Sequence, residues 1–145
     1  MAESCPIGEA GQLVAHQVYR LPLCQCMVEA GFPTPAEGEM EGALDLNELL
    51  IKHPAATFFV RVSGSSMVKA GINHNDILVV DRSLAPAHGK IVIAAIDGEL
   101  TVKRLYHVGK KIQLVAENDG YSPIEIKEGA DLHIWGVVTS VIHQV

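Results

Sequence analysis

The sequence predicts a mainly β chain: a compact antiparallel domain, barrel-like or sandwich-like, carrying an extended N-terminal arm. Three observations point there. After Pro54, short β-branched runs follow one another at close spacing, separated by turn residues. Asp97-Gly98 between two of these runs is a two-residue hairpin signal. Residues 1–43, by contrast, mix Gly, Pro, Glu and Cys without a sustained hydrophobic period.

Taken in order, the arm occupies residues 1–43 and the β-rich domain residues 44–145, with the change in pattern completed near residue 53. The stretch from Gly31 to Glu39 holds two prolines and a growing acidic run, which predicts extended, mobile chain. Asp45 is placed to cap a short helix through Leu46, Leu49, Leu50 and Ile51, which Pro54 stops. Strands are expected at Thr57–Val62, Asp76–Asp81 and Lys90–Ile96. Across the Asp97-Gly98 turn, Leu100–Leu105 is the partner of the third. Val108-Gly109-Lys110 turns the chain into Ile112–Ala116, and Tyr121–Ile126 and Leu132–Ile142 complete the set.

Composition bounds the function. The chain of 145 residues is 48% hydrophobic and 19% charged, enough for one packed domain rather than a disordered segment. Aromatics make up only 5%, so the core must be aliphatic. A net charge of −6 argues against duplex DNA as a direct ligand, because phosphates demand a basic face. No apolar run approaches a membrane span of about 20 residues, and the N-terminus lacks a basic secretory n-region. The three cysteines, Cys5, Cys24 and Cys26, are clustered and odd in number, which suggests a reducing cytoplasm rather than a disulfide framework.

Two residues carry the chemistry. Ser66 follows a strand in Val62-Ser63-Gly64-Ser65-Ser66-Met67, where Gly64 permits a sharp bend. Lys103 lies within Leu100-Thr101-Val102-Lys103-Arg104-Leu105. Strand alternation puts Thr101, Lys103 and Leu105 on one face and Leu100, Val102 and Arg104 on the other. Its place beside Leu105 leads one to expect partial burial, and burial disfavours the charged form of a lysine. A free lysine holds its proton so firmly that the neutral amine costs about 4.6 kcal/mol at pH 7. Burial recovers most of that, leaving a base able to take the proton of a serine hydroxyl as it attacks a carbonyl. Main-chain amides of the Gly-Ser-Ser-Met turn can then stabilise the oxyanion. Each residue alone also has an ordinary reading, the serine as a turn or cap residue and the lysine as a solvated strand residue.

The two motifs together resemble those of the LexA-type self-cleaving serine-lysine peptidases, in the same order and at the family's separation of 37 positions. Within that family the similarity is strongest to the SOS-mutagenesis members. It runs through Asp45–Pro54, Ala56–Val60, His88–Ala95, Tyr121–Ile124 and Trp135–Val138, covering about residues 28–142. The resemblance implies a catalytic domain like the C-terminal domain of LexA, with Ser66 as nucleophile, Lys103 as general base and the amides of Ser65 and Ser66 as oxyanion donors. It implies self-cleavage at a small residue followed by glycine, here Ala30-Gly31, which matches LexA in type. It also implies a homodimer, a RecA–single-stranded DNA filament acting as coprotease, and a UmuC-type error-prone translesion polymerase as the partner of the processed form. A LexA-like repressor would need a helix-turn-helix domain ahead of the cleavage site, and thirty non-basic residues are too few for one.

Other constellations are weaker. None of the seven histidines has HxH or HExxH spacing, and Cys24-Gln25-Cys26 supplies only two ligands, so no metal or other cofactor is expected. A Ser-His-Asp triad from His74 or His88 with Asp76, Asp81 or Asp97 is conceivable. Trp135 and the apolar residues Val137, Val138, Val141 and Ile142 read as core or dimer strand. Two competing functions are a non-enzymatic dimeric adaptor of the same fold that regulates DNA polymerase partners, and a signal peptidase, which a chain without a spanning helix fits poorly.

Overall fold

The computed structural model describes residues 17–25, 27–33 and 40–145, and the chain divides into two units, Met1–Lys52 and His53–Val145. Cys5, Cys26 and the acidic stretch 34–39 lie outside the described residues.

In the first unit, β1 (Leu21–Cys24) pairs antiparallel with β2 (Met40–Leu44), in register Leu21↔Leu44 through Cys24↔Met40. This ladder is absent from the sequence-based reading. β1 is four exposed residues including Pro22, too short for alternation to register, and its partner is non-local. The helix α1 (Leu46–Leu50) forms where expected. Asp45 caps it by accepting the Asn47 N–H at 2.9 Å, which satisfies one of the orphan donors of the first turn.

The second unit is one antiparallel sheet. Its strands are β3 (Thr57–Arg61), β4 (Ile77–Asp81), β5 (Ile91–Ile96), β6 (Glu99–Val108), β7 (Lys111–Val115), β8 (Ile124–Glu125) and β9 (Leu132–Ile142). They lie side by side in the order β3-β4-β9-β5-β6-β7-β8, and the barrel is not closed. The mainly β, antiparallel architecture is the expected one. The β5–β6 hairpin turns at Asp97 and Gly98, both with positive φ (48° and 83°), as a type I′ turn requires. β6 runs three residues beyond the expected Leu105, while the expected Tyr121–Ile126 strand shrinks to the two residues of β8.

β9, last in sequence, sits at the centre between β4 and β5. It carries an extra residue against each neighbour: Thr139 against β4, where Val79↔Ser140 is followed by Val80↔Val138, and Trp135 against β5, where Ile93↔Gly136 is followed by Ala94↔Ile134. Such bulges sharpen local twist and bend the sheet. Both faces are therefore covered. Leu78, Val79 and Val80 are all fully buried, which is why β4 reads as a continuous apolar run. One core cluster gathers Val62, Met67, Ile72, Leu78, Val80 and Ile93; the other gathers Val92, Ala94, Leu105, Leu114 and Val137.

Two aspartates pin the chain at the ends of β4. Asp76 is buried and accepts from Asn73 N (2.8 Å) and His143 Nδ1 (2.5 Å). Asp81, equally buried, accepts from Ser83 N (2.8 Å), Ser83 Oγ (2.6 Å) and His53 Nδ1 (2.6 Å). These pairs fasten His53, ahead of β3, and His143, after β9, to the central strands. The Asn73 amide first, and then His143, hold the Asp76 carboxyl below the usual range. The Ser83 hydroxyl first, and then His53, do the same for Asp81.

Two expectations follow from this packing. A carboxyl depressed in the folded state stabilises fully above its unfolded pKa of about 3.9 and loses that contribution as pH falls through the lower, folded value. Urea midpoints should therefore drop between about pH 5 and 2, and drop less in Asp76→Asn/Asp81→Asn; an unchanged acid dependence in that variant refutes the assignment. A Cβ at Gly136 would come within 2.6 Å of Val80 Cγ1 and 3.1 Å of Asp81 O. Gly136→Ala should cost about 1–3 kcal/mol, read from the same midpoints at pH 7.

Candidate active site

The turn that carries Ser66 leaves β3 through Val62, whose N–H and C=O bond to Asp76 O and Asn75 N at 2.8 Å each. It re-enters the core at Met67, which is 1% exposed. Between these anchors Ser63, Gly64 and Ser65 are exposed, and Gly64 has φ +96°, a bend that suits glycine. Met67 then leads into a 3-10 turn, Val68–Ala70, closed by Gly71 in the left-handed region. Ser66 is thus a half-buried residue on a short loop fixed at both ends.

Lys103 lies in the middle of β6, paired with Val92 of β5 in a ladder whose register the Asp97-Gly98 turn sets. Its Nζ is 3.0 Å from Ser66 Oγ, 2.8 Å from Thr101 Oγ1 and 3.1 Å from Val102 O. Loss of hydration pushes its pKa below that of a free lysine. The three partners also select a useful geometry. A neutral amine has two N–H bonds and one lone pair. The Val102 carbonyl can only accept and the Thr101 hydroxyl can accept, so together they take both hydrogens. The lone pair is then left for the Ser66 hydroxyl proton.

On its other side the turn is held by residues 117–121. Glu117 N donates to Ser66 O (2.8 Å), and Lys69 N donates to Glu117 O (2.8 Å). Asn118 Nδ2 donates to Ser65 O at 2.9 Å, and Tyr121 Oη is 3.1 Å from Ser65 Oγ. Arg104, next to Lys103, reaches Glu117 Oε1 (2.5 Å) and Gly89 O (2.6 Å). The strand of the lysine and the loop of the serine are therefore bound to the same short segment.

Residues 22–139 match the Peptidase S24-like family. The chain is a member of the S24-like peptidases. It is 46% identical over 127 residues to Protein ImpA of Escherichia coli, an alignment covering 87% of this chain and 86% of that one. It is 44% identical over 126 residues to Protein MucA of Salmonella typhimurium, covering 86% of each. ImpA and MucA are homologues of UmuD. A LexA repressor of Ectopseudomonas mendocina is 39% identical over 118 residues, covering 81% of this chain and 57% of the repressor. At the level of the family, S24-like membership places the chain among self-cleaving serine peptidases.

The other sequence-based candidates fall as follows. Ala30 and Gly31 belong to the first unit, in an exposed bend flanked by Met27, Val28 and Phe32, each about 90% exposed (93%, 88% and 90%). The conceived histidine triads do not assemble. His74 Nδ1 accepts Gly64 N–H, His88 Nδ1 accepts His107 N–H, and the buried aspartates are taken by His143 and His53. Among the described residues, no helix is long and apolar enough to cross a membrane.

Sequence reasoning passed over Thr101 as a partner of the amine, although its place two residues before Lys103 on the same strand face was the available signal. It also passed over Glu117, Asn118 and Tyr121. These lie in a polar turn-like stretch, and nothing in its composition marks contact with residues about fifty positions earlier.

The desolvated environment has a direct readout. With 13C-labelled lysine, the Lys103 Cε resonance should titrate below the free-lysine value of about 10.4. A midpoint at or above that value would show the amine to be fully hydrated.

Proposed function

We propose that Ser66 and Lys103 form a catalytic dyad that cuts the chain's own Ala30–Gly31 bond. The observation carrying this reading is the 3.0 Å approach of the desolvated Lys103 amine to the Ser66 hydroxyl, within the reach needed for proton transfer. The exposed apolar side chains of Met27, Val28 and Phe32 support it from the substrate side, because docking into a cleft would remove them from water.

The reaction follows from these groups. Ser66 Oγ attacks the Ala30 carbonyl carbon while its proton passes to Lys103 Nζ. The charge that develops on the carbonyl oxygen is met by the Ser65 and Ser66 amides. Collapse breaks the bond to Gly31 N, which takes the proton from Lys103. Water then attacks the Ala30 ester, with Lys103 again accepting a proton, and releases Ser66. Docking of the cleavage segment also excludes water, which favours the neutral lysine.

Around this reaction we place the biology that the UmuD relationship suggests. The chain acts in the SOS response as a homodimer. A RecA–single-stranded DNA filament stimulates cleavage by favouring the docked segment, without supplying catalytic groups. The processed dimer serves a UmuC-type error-prone translesion polymerase. An acidic chain of net charge −6 suits a role exercised through protein partners rather than duplex DNA.

Intact mass after alkaline incubation tests the core of the reading. A fragment beginning at Gly31 is expected, with a rate that climbs about tenfold per pH unit until the amine is neutral and then levels off. Ser66→Ala and Lys103→Ala should stay intact while keeping the wild-type thermal midpoint. Cleavage at an undiminished rate in either variant, or a rate flat from about pH 6 to 10, rules the dyad out.

A further inference from the structure

We propose that Asn118 is a positioning residue for the oxyanion hole: it fixes the Ser65–Ser66 peptide so that the Ser66 N–H faces the reacting carbonyl. The inference rests on the dyad reading and on the use of the Ser65 and Ser66 amides as donors. It begins with peptide geometry. In a planar trans peptide the C=O of one residue and the N–H of the next point in opposite directions. Whatever holds the Ser65 carbonyl therefore also aims the Ser66 N–H.

Asn118 Nδ2 donates to Ser65 O at 2.9 Å, and among the described residues the only main-chain donor to that oxygen, Val68 N, is farther at 3.4 Å. Because a carbonyl can only accept, the side-chain nitrogen must be the Asn118 atom that faces it. The turn needs such a hold. Gly64 at φ +96° precedes Ser65, and Ser63, Gly64 and Ser65 are exposed, so packing does little to oppose rotation of this peptide. A flip would exchange the donating N–H for the Ser65 carbonyl oxygen, placing a partial negative charge where the oxyanion forms. Asn118 itself is seated by its neighbour. Glu117 N holds Ser66 O, and the Glu117 carboxylate is gripped by Arg104, adjacent to Lys103 on β6. The orientation of the hole is thereby registered on the strand that carries the base.

The test uses the full chain and measures self-cleavage by intact mass across the alkaline range, in Asn118→Asp and Asn118→Ala. Asp fills the same space but, ionised, donates no hydrogen bond. Both variants should cleave about tenfold more slowly at the plateau, a smaller loss than removing an oxyanion donor outright. In Asn118→Ala, which adds no charge, the pH midpoint of the rate and the 13C titration of Lys103 should be those of the wild type, whereas the new carboxylate of Asn118→Asp raises both. Wild-type rates in both variants would overturn the assignment. So would a normal rate in Asn118→Asp with loss only in Asn118→Ala, which would mean that Asn118 merely fills space. A shifted or lost Lys103 titration in Asn118→Ala would show a structural role instead, and also overturns it. A wild-type chain that releases no fragment from Gly31 sinks the dyad reading and this inference together; a wild-type chain that cleaves beside unimpaired variants sinks this inference alone.

Discussion

An amine kept out of water is the constraint on which the site depends. Lysine is an ordinary strand residue when its ammonium reaches solvent and a poor base when it does. Lys103 departs from that pattern because β6 brings it alongside Leu105, half-buries it, and among the described residues offers its nitrogen only the Thr101 hydroxyl, the Val102 carbonyl and the Ser66 hydroxyl. There is no carboxylate among these partners. An Asp or Glu there would stabilise the ammonium and undo the effect of burial. The chain is acidic overall, so keeping negative charge away from this nitrogen is a feature of local placement rather than of composition.

The supporting frame divides the work between rigid and adjustable parts. Lys103 sits on a ten-residue strand hydrogen-bonded on both sides, to β5 and β7. Ser66 sits on an exposed turn that has no ladder of its own and borrows its rigidity from elsewhere: Val62 and Met67 in the core, and the segment 117–121 alongside. The Arg104–Glu117 pair closes the circuit. It is partly exposed, and by itself such a pair contributes little to stability. Its value lies in tying the Ser66 turn and the Lys103 strand to one segment, so that a shift of either is resisted by the other. Main-chain bonds from Glu117 do the same for the carbonyl of Ser66.

The central position of β9 shows how a late segment organises an early one. β3 and β4 carry the turn with Ser66, and β5 and β6 carry the lysine. Within the sheet they are joined through β9, which lies between β4 and β5. Gly136 lets β9 approach Val80 and Asp81 more closely than any side chain would allow. The bulges at Trp135 and Thr139 bend the sheet on either side of that approach. The distance between serine and lysine is thus partly set by residues remote from both.

Much of this was legible in the sequence, and the reason is local. Turn chemistry marked Asp97-Gly98, and both residues have the positive φ that a type I′ turn demands. The Asp45 cap, the alternation that sets Lys103 beside Leu105, and the bounds of β9 each follow from interactions among near neighbours, which a one-dimensional pattern records. The pairing of β1 with β2 was not legible, because four residues with a proline carry no periodicity and the partner lies beyond a loop. Nor were the contacts of Asn118 and Tyr121, or the insertion of β9 between β4 and β5. The sequence by itself determined which residues are candidates for the chemistry and which strands would form around them, since residue type and alternation are properties of the chain. Only the tertiary structure decided that an amine and a hydroxyl 37 positions apart meet at 3.0 Å, and what holds the peptide beside them. Long-range approach depends on sheet order, bulges and side-chain bonds between distant segments, and no local pattern encodes these.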